Sequence, residues 1–290
     1  MSQHAETKFA GSGGVELYAQ SWTPAGDTHA VVPIVHGIGE HSGRYANLVE
    51  YLTSHDFTVF GFDHRGHGRS PGRRGHVARW SEYREDIAAF LRLARESAPG
   101  VPLFLFGHSL GALIVVEFTL HYPAGLAGLV ASGIPMQPTG VAKPHLVAFA
   151  RVMSRVWPSL SISMGLDAGA LSRDEGVVQA YRDDRLVHPR ASVRWGAETL
   201  AAIERVRSRA AEIRLPLLLL HGEADRINSV EGSRELLARV SSVDKTLQVY
   251  PGGSHEPHND LCSPQAVSDV EMWLTRQLAG RAHRLMVPPT

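Results

Sequence analysis

Residues 101–111 read Val101-Pro102-Leu103-Phe104-Leu105-Phe106-Gly107-His108-Ser109-Leu110-Gly111, and the apolar run ALIVVEF follows at 112–118. An apolar strand, a serine with glycine two positions to either side, and a helical run predict a strand–turn–helix unit with Ser109 at its apex. The turn is sharp enough to strain the serine backbone, and side chains at the flanking positions would clash, hence the glycines. Such a turn lifts the Ser109 hydroxyl above the strand end. It also aims the Leu110 N–H and the helix N-terminus at any anion formed there. Ser109 is read as a nucleophile, with an ordinary tight turn as the bland alternative.

A neutral hydroxyl attacks poorly without a histidine base, itself oriented by a carboxylate. LPLLLL at 215–220 runs into His221-Gly222-Glu223-Ala224-Asp225, and the run ending at Tyr250 leads to Gly252-Gly253-Ser254-His255. Asp225 follows Ser109 by 116 residues and His255 follows Asp225 by 30, giving the chain order serine, acid, histidine. Asp225 is preferred to Glu223, which lies closer to the strand end. A second oxyanion donor is expected after an early strand, where Val31–Val35 meets His36-Gly37-Ile38-Gly39. That makes the Ile38 N–H the partner of Leu110. His36 itself reads as a loop-holding residue.

Outward from these turns, short apolar runs alternate with helix-period segments, the signature of a mainly parallel sheet covered on both faces. Strands are predicted at Ala30–Val35, Thr58–Phe62, Val101–Phe106, Leu126–Ser132, Leu215–Leu220 and Thr246–Tyr250. Helical spacing links Tyr45, Leu48, Val49 and Leu52, and again Tyr83, Ile87, Phe90, Leu91 and Ala94. A C-terminal helix is predicted from Ser263 as N-cap, with Gly280 ending it. Between about Ile134 and Val206 no convincing strand appears. This predicts an all-helical cap, 134–206, inserted before the last two strands of a core made of 1–133 and 207–290. Leu146, Phe149, Met153 and Trp157 lie on its broadest apolar face, as buried packing or as an acyl or membrane-facing surface.

Composition narrows the alternatives. The chain has 290 residues with 29 Lys+Arg against 29 Asp+Glu, so no overall charge draws it to nucleic acid or anionic membranes. Its one cysteine, Cys262, excludes an internal disulfide and a cysteine-built metal site. No secretory leader or membrane-spanning run is legible, so a cytoplasmic protein, at most peripheral to membranes, is expected. The arginine-rich loop DHRGHGRSPGRRGH at 63–76 lacks a phosphate-loop lysine and interleaved aromatics, so nucleic-acid binding is not expected. His255-Glu256-Pro257-His258 is not a zinc helix, because Pro257 would break it; neither metal nor cofactor is expected.

Four segments together resemble the monoacylglycerol lipase / lysophospholipase branch of the α/β-hydrolase superfamily: HGIGEHSGRY (36–45), FDHRGHGRSPGRRG (62–75), GHSLG (107–111), and HGEAD with GGSHEPH (221–225, 252–258). The resemblance implies a serine esterase with a helical cap and an acyl tunnel. It would make Glu40, Arg44, His108 and His258 polar groups around the glycerol end of a small lipid ester. A structural salt bridge is the competing role for Glu40 and Arg44, and His41 reads as structural. Two positions depart from the branch: Ala112 replaces a common glycine, and Asn228 stands where relatives carry a small apolar or sulfur side chain. Monoacylglycerol is the leading substrate class, with lysophospholipid and other small esters behind it. A catalytically silent binding protein of the same fold is the non-enzyme alternative. Acyl length, oligomeric state and the choice between hydrolysis and acyl transfer are not legible.

Overall fold

Alternate residues of the central strands enter opposite cores, and both sets are apolar. Val31, Val35, Leu103, Leu105, Leu217 and Leu219 join one cluster, whereas Val32, Ile34, Phe104, Phe106, Leu218 and Leu220 join another on the far face. A strand apolar on both sides is stable only with helices over both faces. The computed structural model, which describes residues 2–139 and 152–286 with side chains as far as Arg281, shows that architecture.

The main sheet is built from β1 (Gln3–Ala10), β2 (Glu16–Thr23), β3 (Ala30–Val35), β4 (Phe57–Phe62), β5 (Phe104–His108), β6 (Gly128–Ser132), β9 (Leu217–Gly222) and β10 (Lys245–Tyr250). Two short strands, β7 (Ser161–Ser163) and β8 (Arg190–Ser192), stand apart from it. Its eight strands lie in the order β1-β2-β4-β3-β5-β6-β9-β10. All neighbours from β4 to β10 are parallel; β1 and β2 are an antiparallel extension at one edge. Helix α1 (Ala46–Ser54) and the C-terminal helix (Ser263–Met286) cover one face with Leu48, Leu52, Val267, Val270 and Leu274. Helices α2 (Ser81–Ser97) and α3 (Leu110–Thr119) pack on the other, which holds Ile87, Phe90, Leu113 and Ile114.

Two local expectations are corrected, and one strand pair is added. The N-terminal pair β1–β2 was not legible because β1 is exposed along nearly its whole length, so no apolar alternation marks it. The C-terminal helix continues past Gly280 to Met286: one glycine costs a long helix about 1 kcal/mol and does not stop it. The Ser263 hydroxyl donates back to the His258 carbonyl at 2.7 Å.

The segment between β6 and β9 is not all-helical. It carries the helices Glu175–Asp183 and Val193–Arg209, but also the antiparallel pair β7–β8. Strands of three residues are too short to show a period. The segment is bound to the core by backbone contacts: His188 N–H donates to Gly39 O at 2.9 Å, Ser192 N–H to Gly75 O at 2.9 Å, and Glu256 N–H to Leu171 O at 2.9 Å. Leu146 and Phe149 lie outside the described residues. No helix among the described residues is long and apolar enough to cross a membrane.

Candidate active site

Ser109 has φ 51° and ψ −119°, a left-handed conformation that costs a non-glycine residue about 1–3 kcal/mol. The strain is imposed from both sides. A Cβ on Gly107 would lie 2.5 Å from Gly111 O, and one on Gly111 would lie 2.0 Å from Val35 O, so α3 leaves β5 with no room for side chains at the turn. Ser109 N–H is anchored to Ser132 O on β6 at 2.8 Å. As first residue of α3, Leu110 has an N–H with no intrahelical acceptor.

The loop after β3 lies against this turn, since a Cβ on Gly37 would stand 3.2 Å from Ser109 Cβ. His36 Nδ1–H donates to Gly37 O at 2.7 Å, and His36 Nε2 accepts the His64 N–H at 2.9 Å. In a trans peptide C=O and N–H point opposite ways. Holding the Gly37 carbonyl on the His36 side therefore turns the Ile38 N–H to the other.

Asp225 and His255, on the loops after β9 and β10, are hydrogen-bonded: His255 Nδ1–H donates to Asp225 Oδ2 at 2.7 Å. Asp225 Oδ1 accepts Ile227 N–H at 2.8 Å and Asn228 N–H at 3.0 Å. Burial would raise the Asp225 carboxyl, but His255, His221 and the backbone donors hold it below the usual carboxylate range. Burial would lower His255, and the Asp225 carboxylate outweighs that, holding the imidazole above its usual value. Nε2 is then the ring nitrogen left to take a proton.

Ser109, His255, Ile38 and Leu110 all line one cavity of about 710 Å³, which reaches from Ser109 into the 134–206 segment. Ile162, Met164, Leu166, Trp195, Leu200 and Ile203 make it predominantly apolar. Met153 and Trp157 are not on its described wall. Trp157 is 56% exposed, and Val152 and Val156 are exposed too, so these three side chains face outward, while Met153 is half-buried.

Arg44 is held on every side. Its Nη1 donates to Glu40 Oε2 at 2.8 Å and to Glu256 Oε1 at 2.7 Å, and its Nη2 to Glu256 Oε2 at 2.8 Å. The Tyr181 ring covers its face at 4.7 Å. Glu40 Oε1 also accepts Gly37 N–H at 2.6 Å and the Tyr45 hydroxyl at 2.8 Å. Burial would raise the Glu256 carboxyl, but the Arg44 guanidinium brings it below its ordinary value. Glu40, Arg44, His108 and Glu256 reach the cavity wall. His258 does not: it is buried behind His108, stacked on Tyr45 at 4.8 Å, and burial pushes its pKa down to about 4. Its expected place beside a glycerol group is corrected to the layer beneath.

Glu256, Tyr181 and His221 were not singled out from sequence. Glu256 follows His255 directly, a neighbour signal that could have found it; Tyr181 comes from a distant helix with no motif. His41 pairs with Asp184 at 2.7 Å, and Asn228 Nδ2–H donates to Gly133 O at 2.8 Å. In the arginine-rich loop, Arg65 is spent on Asp86 at 2.7 Å and Arg69 on Glu6 at 2.7 Å. Among the described residues, no group of three or more His, Cys, Asp or Glu side chains is arranged to hold a metal ion.

Residues 26–262 match the family model described as Hydrolase_4, serine aminopeptidase S33. The chain belongs to that family of α/β-hydrolases. It is 38% identical over 278 residues to the monoacylglycerol lipase of Mycolicibacterium smegmatis, covering 96% of this chain and 99% of that one. It is 33% identical over 274 residues to human monoglyceride lipase, covering 92% and 89% respectively. Among solved structures, the monoacylglycerol lipase of Paleococcus ferrophilus superposes with a TM-score of 0.83 at 37% identity, covering 90% of this chain and 99% of that one. These likenesses place the chain on the monoacylglycerol-lipase branch and make it a carboxylic ester hydrolase.

Proposed function

We propose that this hydrolase releases a fatty acid from monoacylglycerol through an acyl-enzyme on Ser109. The observation that carries the reading is the Asp225–His255 hydrogen bond of 2.7 Å at the wall of the apolar cavity that also holds the strained Ser109. His255 Nε2 takes the Ser109 proton as Oγ attacks the ester carbonyl, and Asp225 stabilises the resulting imidazolium. The Ile38 and Leu110 N–H groups receive the oxyanion. The tetrahedral intermediate collapses, expelling glycerol oxygen that takes the proton from His255. Water then repeats the sequence, with His255 as base, and frees the acid and Ser109.

The division into a core of 1–133 and 207–290 and a cap of 134–206 assigns the roles. The core supplies the reacting groups, and Ile162, Met164, Trp195 and Leu200 of the cap receive the acyl chain. Such a lining suits a hydrocarbon chain better than a peptide, whose buried amides would need partners. Glu40, Arg44 and His108 stand at the polar end, where the alcohol leaves. The exposed Val152, Val156 and Trp157 on the outer side suit transient contact with a lipid surface, where monoacylglycerol resides. No cofactor enters the scheme.

Ser109→Ala is expected to abolish fatty-acid release from 1-lauroylglycerol while the circular dichroism spectrum is unchanged. Serine-independent release from a clean preparation would overturn the proposal. Release from lysophospholipid alone would return the reading to a lysophospholipase.

A further inference from the structure

Resting on that reading, we infer that Glu256, acting with Glu40, is the specificity-determining residue that turns the head-group end of the cavity against anionic lipids and restricts the enzyme to neutral ones. A site that took a phosphate would present unspent cationic donors to it. Here the opposite holds. Arg44 divides its two terminal nitrogens between two carboxylates, bidentate to Glu256 and single to Glu40, with Tyr181 over its face. Its side chain is 9% exposed.

Glu256 alone balances the guanidinium. Burial raises the Glu40 carboxyl and Arg44 opposes it, but its oxygens accept from three donors, Gly37 N–H, the Tyr45 hydroxyl and Arg44, as a carboxylate does, and this leaves the cluster with one negative charge in excess. The other arginine on the described wall, Arg226, is solvent-facing, with its side chain 66% exposed, and one terminal nitrogen meets Asp167 at 3.2 Å. Among the described residues, each arginine on the cavity wall is therefore matched by a carboxylate. Carboxylate oxygens accept hydrogen bonds and cannot donate them, so they suit the hydroxyls of a polyol and repel a phosphate. Glu256 is also held rigidly in place, since Asn259 Nδ2–H donates to its Oε2 at 3.0 Å and its backbone N–H donates to Leu171 O at 2.9 Å.

The test uses a matched pair, 1-lauroylglycerol and 1-lauroylglycerol 3-phosphate, which share the acyl chain and differ in head-group charge. Both are measured in detergent micelles as competitive inhibitors of p-nitrophenyl laurate hydrolysis, and separately as substrates. The wild type should favour the neutral lipid. Glu256→Gln should narrow that preference by about tenfold, and Glu40→Gln/Glu256→Gln should narrow it again or reverse it, as like-charge repulsion gives way to a freed Arg44. Glu40→Gln alone makes the same single charge change if Glu256→Gln misfolds.

General damage would weaken both lipids together and leave their ratio alone. An unchanged ratio across the folded variants, or a wild type that binds both lipids equally, overturns the inference. Failure to turn over 1-lauroylglycerol, by contrast, would overturn the proposed function, while the inhibition ratio still decides the charge selection.

Discussion

Replacing His221 by asparagine should slow the enzyme about tenfold on the acid side of its pH profile, although His221 is fully buried on β9 and does not line the cavity. Its Nε2–H donates to Asn228 O at 3.0 Å and lies 3.2 Å from Asp225 Oδ2, while Nδ1 accepts the Ser233 hydroxyl at 2.7 Å. Asp225 Oδ2 is the same oxygen that accepts His255 Nδ1–H. A hydrogen bond to a charged group contributes about 1.5–3 kcal/mol. Shared between two acceptors, its loss should shift the Asp225–His255 balance by about 1.4 kcal/mol toward the imidazolium, a factor of about ten in the fraction of His255 that is neutral on the acid limb. An Asp225 with one donor fewer holds the His255 imidazolium more tightly, so the histidine, already above its usual value, rises further. His255 must be neutral to accept the Ser109 proton, so the acid limb of kcat/KM should move to higher pH. Asparagine keeps a group near the Nδ1 position and removes the Nε2 donor; glutamine reaches the Nε2 position and should restore much of the loss. Fatty-acid release from 1-lauroylglycerol, followed across the acid limb, reads both effects. A folded His221→Asn enzyme with unchanged kcat/KM and an unmoved limb would refute the reasoning.

Two further outcomes follow from packing and burial. Gly111→Ala places a Cβ 2.0 Å from Val35 O and 2.7 Å from His36 O; overpacking of this kind costs about 1–3 kcal/mol or more. Its melting temperature should fall by several degrees and activity should fall with it, because α3 must move; an unchanged melt would contradict the close approach. Arg65→Met leaves the buried Asp86 carboxylate without its 2.7 Å partner and should cost about 3–5 kcal/mol. Burial already raises Asp86, so this loss should be largest where Asp86 is ionised and shrink as the pH falls through its raised pKa. Urea titrations at two pH values would show it, and an equal loss at both would count against a buried charge as the cause.

The strand-following turns were legible from residue order because their constraints are local. GHSLG needs glycines where α3 folds back over β5, and the apolar runs needed strands apolar on both faces, so Ser109, Asp225 and His255 could be located before any contact was known. Even so, spacing alone did not bring Asp225 to His255; the parallel pairing of β9 with β10 does that, by setting their C-terminal loops side by side. The exposed β1, the three-residue β7 and β8, and the helix that runs through Gly280 were hidden because burial and neighbours, not local period, decide them.

The polar rim shows the division most clearly. Glu40 and Arg44 could be picked out along one loop, but not whether Arg44 would be free for a ligand. That depended on Glu256, 212 residues away, and on Tyr181 arriving from the segment between β6 and β9. A residue's type is written in the chain, whereas the charge it can offer depends on which partners the fold places within hydrogen-bond reach.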